Sequence, residues 1–466
     1  MPDRDTVRQL ALWVHEQDPA RLPPAVSQQA RLLVLDTIGC ALCALVEDEV
    51  QQTIAAVMAL GGAAHCTIIG TEHKTSAVDA VLANGAVARF LDLNDFVMDP
   101  AGDGSTSGGH PSDDIAVALS VGEWRRSSGA EVIMAIVIGY EIYCRLKALL
   151  TPEVPWDSTT VSGVVAPAMA GRLMGMEPER LAQAIALGAA RAATPAIVRS
   201  GNISAAKFLA NPLIAQSGTQ AAILAAGGLT GPLEIFDHER GLKHMFEGGA
   251  GYASLTAPLK DNCAIMHAGI KAYPCLATGQ TVVTAGIEIH GILQGETDGI
   301  ESIALTMADR SNIRRQQADI GRTYPTSREA ADHSFPFLAA VALMDGVLTP
   351  RQFDNERWAE AKTKALMARV SMGVDGGWNQ RAPDAYPVTM RVTMADGARH
   401  MARVPHPPGH AAGGLEVADV TAKFDAITRG VLDDAHSSAI KATVLGLEDL
   451  SSVTELMDLL GAVTDS

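Results

Sequence analysis

Apolar residues recur at three- and four-residue spacing from Val7 to about His267, the period of helices that turn one face to a core. The pattern breaks at Gly61–Gly62, over 97–111, from Pro152 to Pro155, at Gly201 and over Gly227–Gly231. Runs such as AEVIMAIVIGYEIYCRLKAL, which begins at Ala130, and PERLAQAIALGAARA are too long for strands and too rich in alanine for anything but packed helix. Near Lys271 the texture changes. A helix-like QTVVTAGIEIHGIL is followed by ESIALTMA, by helical PFLAAVALMDG, and then by YPVTMRVTMADGARHMARV. The period-two alternation of that last run around Asp396-Gly397 predicts a β-hairpin. The Pro/Gly-rich HPPGHAAGG closes the region and DVTAKFDAITRGVL resumes helix. The pattern therefore predicts a mainly α fold: a large all-helical bundle domain over 1–267 plus 413–466, with a smaller α+β lid domain over 268–412 inserted in it. A cleft between the two is the expected binding site.

Length and composition agree with two domains, since 466 residues exceed what one hydrophobic core usually serves. Hydrophobic residues at 47%, with aromatics at only 4%, mean a core filled by Ala, Leu, Val, Ile and Met. The formal charge of −17 and pI near 5.2 argue against nucleic acid or an anionic membrane as partner. An anionic substrate must then be drawn by a local basic pocket. MPDRDTVRQLALWVHEQ lacks the pattern of a signal peptide, and no apolar run reaches the eighteen or so residues of a membrane span, so a cytoplasmic location is expected.

Cys40 and Cys43 form a CxxC, but within what reads as a buried helix, where small core residues are the better expectation. With no further close pair or triplet among Cys66, Cys144, Cys263 and Cys275, an iron–sulfur cluster is not expected. Nucleotide-binding glycine motifs and helical HxxxH or HExxH pairs are missing from the sequence, so chemistry without metal or cofactor is expected.

Titratable groups concentrate between Asn84 and Asp114, in NGAVARFLDLNDFVMDPAGDGSTSGGHPSDD. Arg89, Asp92, Asn94 and Asp95 end a helical approach, and a Gly/Ser/Asp run that cannot be helical then delivers His110, Ser112, Asp113 and Asp114. An imidazole beside carboxylates is an acid/base set that works near neutral pH. The plainer alternative is that Asp113 and Asp114 only cap the next helix. Lys207, in GNISAAKFLANPLIAQSG, stands at a helix start, either snorkelling to solvent or meeting an anion. Lys271, in GIKAYPCLATGQ, sits at the junction of the two domains. His333, in AADHSFPF, is a lid or a packing residue, and His15, His65 and His436 have no converging partners in sequence.

The strings RFLDLND and GHPSDD resemble the paired signatures of the MmgE/PrpD superfamily, whose members include 2-methylcitrate dehydratase, cis-aconitate decarboxylase and iminodisuccinate epimerase. The likeness continues in RLLVLDTIGCALCAL, in GNISAAKFLANPLIAQSGTQAAILAAGGLTGP, in KAYPCLATGQ and in PTSREAADHSFPFLAAVALMDG. It implies a homodimer and an active site lined by the lysine at Lys207. Gln280 stands where several members have histidine and dehydratase-type members often have glutamine; an amide cannot transfer a proton at pH 7, which argues against a two-histidine mechanism. Asp157 stands where decarboxylase members have a histidine. Phe96 replaces a usual threonine, and the loop over 97–109 is lengthened.

The resemblance thus implies a cofactor-independent hydro-lyase acting on a hydroxy di- or tricarboxylic acid such as 2-methylcitrate. Asp92 and His110 would be the acid/base pair and Lys207 a third catalytic group. Lys207 and Lys271 would grip carboxylates, and Asp157, Lys271 and Gln280 would bind substrate. Decarboxylation or epimerisation within the same superfamily is the alternative, and a non-catalytic helical binding protein the remote one.

Overall fold

The computed structural model describes residues 5–97, 109–150, 156–246, 252–259, 263–309, 311–379, 386–409 and 414–461. The chain opens with helices α1 (Thr6–His15), α2 (Pro24–Ala44) and α3 (Asp48–Leu60), a two-residue strand pair β1 (Cys66–Thr67) and β2 (Lys74–Thr75), and α4 (Ala77–Arg89). Strand β3 (Asp95–Val97) follows, then α5 (Ile115–Arg125), α6 (Gly129–Leu149), α7 (Ser162–Leu173), α8 (Pro178–Ala189), α9 (Ala206–Ala226) and β4 (Ala268–Ile270). Next come α10 (Gln280–Leu293), β5 (Ile300–Met307), α11 (Ser311–Ala318), α12 (Ile320–Thr323), α13 (Arg328–Ala331), α14 (Phe335–Asp345), α15 (Ala361–Met367), β6 (Val370–Val374), α16 (Gly376–Asn379), β7 (Val388–Met394) and β8 (Arg399–Val404). Helices α17 (Val417–Ile427), α18 (Asp434–Leu445) and α19 (Thr454–Gly461) end the chain. The fold is mainly α.

Buried apolar side chains gather into two principal cores. One is built from residues 7–270, and apolar residues after 414, Val420 and Phe424 among them, return to it. Its central helices approach closely because small residues face each other: a Cβ added at Gly218 of α9 would lie 2.7 Å from Pro167 Cδ of α7, and one at Gly85 of α4 would lie 3.2 Å from Pro212 Cγ of α9. The other core lies within 275–404, on a four-stranded sheet of order β6-β5-β7-β8. In β5 the buried Ile303, Leu305 and Met307 alternate with partly exposed neighbours, the period-two signature of a sheet with one covered face. Helix α10 covers β7 and β8, and α14 packs on α10.

The hairpin over 388–404 forms as expected, with Gly397 at φ +88° and the Asp396 carboxylate accepting from the Ala398 amide at 2.9 Å. Two features depart from the pattern. The stretch up to His267 is not purely helical, because β3 pairs antiparallel with β4, Asp95 opposite Ile270. And β6, without alternating burial of its own, pairs in parallel with β5. Of the long loop after Val97, residues 98–108 lie outside the described residues. No single helix among the described residues is long and apolar enough to cross a membrane.

Candidate active site

Helix α4 is started by Ser76, whose hydroxyl accepts from the Asp79 amide at 3.2 Å, and its last residue is Arg89. The chain then turns sharply through Asp92, which holds a left-handed φ of 50°, a conformation that costs a non-glycine residue free energy and recurs at functional sites. The turn feeds β3, and the β3–β4 register carries Lys271, 179 residues further on, alongside it. Lys271 Nζ donates to the Asp92 carbonyl at 2.9 Å and to its carboxylate. Lys423 of α17, paired with Asp36 of α2 at 2.5 Å, fixes the same turn by donating to the Leu93 carbonyl at 2.8 Å.

Asp92 is the hub of a buried charge network. Its carboxylate meets Arg89 Nη1 at 2.6 Å, Lys207 Nζ at 3.1 Å and Lys271 Nζ, all in a region 2% exposed or less. Lys207, in the first turn of α9, also meets both oxygens of Asp332 at 2.9 and 2.7 Å. Burial by itself would raise the Asp92 pKa; Arg89, Lys207 and Lys271 together overcome it and hold the carboxyl well below its usual range. Asp332 is likewise lowered against its own burial, first by Lys207 and then by His333. Oxygen and nitrogen atoms of Asp92, Asp332 and His333 lie within 4.8 Å of one another, a spacing that could hold a cation. Between the two carboxylates, however, the Lys207 ammonium already fills that role.

Two imidazoles border this network. His110 opens the turn over Pro111–Asp114, and its Nδ1 lies 2.6 Å from the Asp95 carbonyl. A carbonyl only accepts, so Nδ1 carries the proton and Nε2 keeps its lone pair. Burial, then Lys271 and Arg89, push the His110 pKa well below its usual value. His333 presents Nδ1 to the Asp332 carboxylate and is pushed down to about 3, by burial first and Lys207 second. Both rings are thus neutral near pH 7, each with Nε2 as its basic nitrogen.

Beneath them, Asp95 accepts from Ser112 Oγ at 2.6 Å and Tyr140 Oη at 2.8 Å, and burial raises its carboxyl to about 7. Asp113 accepts from Asn94 at 2.8 Å. Asp114 accepts from Ser162 at 2.8 Å and is raised to about 7, again by burial. Neither Asp113 nor Asp114 caps α5 through its side chain, so the plain capping alternative fails.

A cavity of about 290 Å³ is lined from both cores, by Asp92, His110, Asp157 and Arg199 on one side and by Leu276, Arg322, His333 and Tyr386 on the other. Arg199 Nε pairs with Asp157 at 2.6 Å. Arg322 spends its terminal nitrogens on the carbonyls of His333 at 3.3 Å and Arg199 at 3.1 Å. Burial, and next Arg315, lower Arg322 to about 10. Lys147 and Arg315 also line the cavity, and their side-chain charged groups have no hydrogen-bond or ion-pair partner among the described residues. With four cations against two carboxylates, one already saturated, this is the local basic pocket that an acidic chain needs for an anionic ligand.

Of the residues picked out in the sequence, Asp92, His110, Asp157 and His333 reach the cavity. Lys207 and Lys271 stand behind Asp92 instead of lining the cavity, with their ammonium groups on Asp92 and, for Lys207, also on Asp332. Gln280 is also displaced. It is fully buried, accepting from the Ala272 and Tyr273 amides at 3.0 Å each and donating to the Tyr273 carbonyl at 2.8 Å, so it shapes the bend after Lys271. The argument it carried against two histidines also falls, because His110 and His333 line one cavity. Phe96 packs with Ala277 and Tyr386, two lining residues, and so backs the cavity wall. Arg199, Arg322, Lys147 and Asp332 were not foreseen; the pairing of Arg199 with Asp157 has no sequence signal at all.

The model described as the MmgE/PrpD N-terminal domain matches residues 8–254, and that of the MmgE/PrpD C-terminal domain matches residues 273–449. A cis-aconitate decarboxylase of Aspergillus terreus is 23% identical over 97% of this chain and 95% of its own length. That of Homo sapiens is 24% identical over 97% and 93%. A 2-methylcitrate dehydratase of Cupriavidus necator is 24% identical over 82% and 81%.

Proposed function

The chain belongs to the MmgE/PrpD family, and on that premise we propose that it is a hydro-lyase that dehydrates a small hydroxy di- or tricarboxylic acid without a metal or organic cofactor. The observation that carries this reading is the pair of neutral imidazoles, each with its basic Nε2 left over, on the wall of a cationic cavity. A neutral imidazole beside cations suits a reaction that begins by taking a proton from carbon α to a carboxylate, because the cations stabilise the charge that develops. In the proposed sequence the C–H proton passes to Nε2 of His110 or His333, the C–H electron pair forms the alkene, and the C–O bond breaks. The departing hydroxide takes the proton back from the imidazolium and leaves as water, so the base is regenerated. Asp92, held ionised by three cations, cannot donate a proton near pH 7; its role here is to fix Lys271 and Lys207 and to stabilise the imidazolium electrostatically. Closure of the 275–404 core over the cavity would exclude water during the reaction.

The second reading is decarboxylation, favoured by the decarboxylases that match over 97% of the chain. It needs a proton donor ready for the carbanion left by carbon dioxide, and the depressed pKa values of His110 and His333 count against one in the resting site. The test is to incubate the protein with 2-methylcitrate, citrate and cis-aconitate while following alkene absorbance and gas release. Alkene without gas is expected, and His110→Gln should lower the rate by about 10²–10⁴-fold with an unchanged circular dichroism spectrum. Gas release from cis-aconitate, or near-normal turnover in His110→Gln, would overturn the reading.

A further inference from the structure

We infer that the guanidinium side of the cavity is a subsite for a carboxylate remote from the reacting carbon, bound end-on by Arg199 with Arg322 beside it, and that Asp157 is the positioning residue for Arg199. This deepens the proposed function and rests on it for the polycarboxylic nature of the ligand. Asp157 takes only Arg199 Nε, at 2.6 Å, and Nη1 and Nη2 have no protein partner among the described residues. The edge of the fork that remains is the one that matches a carboxylate with two parallel hydrogen bonds. Arg322 keeps an unmet requirement of its own: its Nε is buried without a hydrogen-bond partner, 3.6 Å from Asp319. Unpaired donors of this kind in a buried region are costly unless a ligand satisfies them.

The strap carrying Arg199 is clipped in place from both ends. Asp157 donates its amide to the Thr194 carbonyl at 2.7 Å, Trp156 bridges Pro195, and the Gly201 amide donates to Asp319 at 3.1 Å. Arg199 is therefore preorganised by Asp157 of the first core and by its strap, and Arg322 by its place in α12 of the 275–404 region, so a carboxylate bound end-on by Arg199 lies beside a charge from the other side of the cavity. A cavity of about 290 Å³ suits a small acid and not a nucleotide.

The experiment is calorimetric titration of the full-length protein with tricarballylate, which has three carboxylates and no leaving hydroxyl, with methylsuccinate, its analogue without one terminal carboxylate, and with inorganic phosphate. The wild type should bind tricarballylate about tenfold tighter than methylsuccinate, and Arg199→Gln and Arg199→Lys should each abolish that preference. Asp157→Asn keeps an acceptor for the Thr159 amide, so the turn it begins is preserved; it should still weaken tricarballylate about tenfold while leaving methylsuccinate within about twofold. Arg199→Lys keeps the charge and loses only the fork, and so stays informative if Arg199→Gln fails to fold. Equal tricarballylate affinity in wild type and Arg199→Lys would overturn the subsite, and so would wild type that binds no tricarballylate or that prefers phosphate. Because the readout is binding, absence of turnover with every acid would defeat the proposed reaction and leave this inference standing.

Discussion

The two sides of the cavity handle charge in opposite ways. Around Asp92, three cations and two carboxylates are packed so that every charge faces its opposite within about one hydrogen-bond length. On the guanidinium side, Arg199 has one carboxylate partner, Arg322 a distant one, and Lys147 none within ion-pair distance among the described residues. The first arrangement has its geometry fixed before any ligand arrives. The second leaves positive charge and donors for something to complete. A lysine near an active site can thus be a structural counterion, whereas an arginine held by one edge is the better sign of ligand binding.

The largest effect that would break this contrast is expected from Asp92→Asn. Removing one charge from the packed side leaves three buried cations with Asp332 and, for Arg89, Asp113 at 3.4 Å, and we expect a loss of about 3–5 kcal/mol in denaturant unfolding. Asp157→Asn should cost about 1 kcal/mol, since its ion pair is partly open to solvent; equal costs would mean that the two sides are not different in kind.

Next comes the response to pH. Asp95 and Asp114 are raised to about 7, against about 3.9 in an unfolded chain. Between those values the folded state holds more protons than the unfolded one, so stability falls as pH rises through that window and levels off above about 7. Asp92 and Asp332, both lowered, contribute stability that is lost only in stronger acid. His110 and His333, both lowered, act in the opposite sense below about 6.5, so the aspartate effect is read by difference: the melting temperature of Asp114→Asn, which imitates the protonated acid, should gain on that of the wild type as pH rises from 4 to 7. An unchanged difference would remove Asp114 from the explanation.

A saturating non-reacting tricarboxylate should stabilise the wild type by about 2.7 kcal/mol at a hundred times its dissociation constant, and this gain should shrink in Arg199→Gln but survive in His110→Gln. The smallest effect is expected from Lys147→Met. Replacing a half-buried, unpartnered ammonium with an apolar chain of similar length should leave stability unchanged or raise it by up to about 1 kcal/mol, while weakening tricarboxylate binding in the same titration. A clear loss of stability would mean that Lys147 belongs to the packed side.

Much of the packed side was legible in the sequence. The titratable residues from Arg89 to Asp114 stand close together in the chain, Lys207 stood out at a helix start in a run short of charge, and Lys271 at the junction of the two predicted domains. What periodicity could not reveal was the direction in which the lysines point, because that depends on the β3–β4 register and on Asp332 arriving 125 residues after Lys207. The guanidinium side was illegible for a related reason. Arg199 and Arg322 sit in short helical turns with no apolar period to orient them, and they become a site only when the two cores meet. Gln280 misled because an amide reads the same in sequence whether it meets a ligand or three backbone groups. The helices of the first core and the hairpin of the second were recoverable because burial alternates along them at a fixed period.

The tie between Asp36 and Lys423 also has a consequence in time. Translation at about 5–20 residues per second delivers Lys423 roughly 20 to 80 seconds after Asp36. Throughout that interval the nascent first core lacks α17 and the cation for a carboxylate buried in its centre. A stalled or shortened polypeptide that stops before α17 should therefore remain a client of chaperones however much of its helix has formed, and release from them should coincide with the emergence of the last few dozen residues.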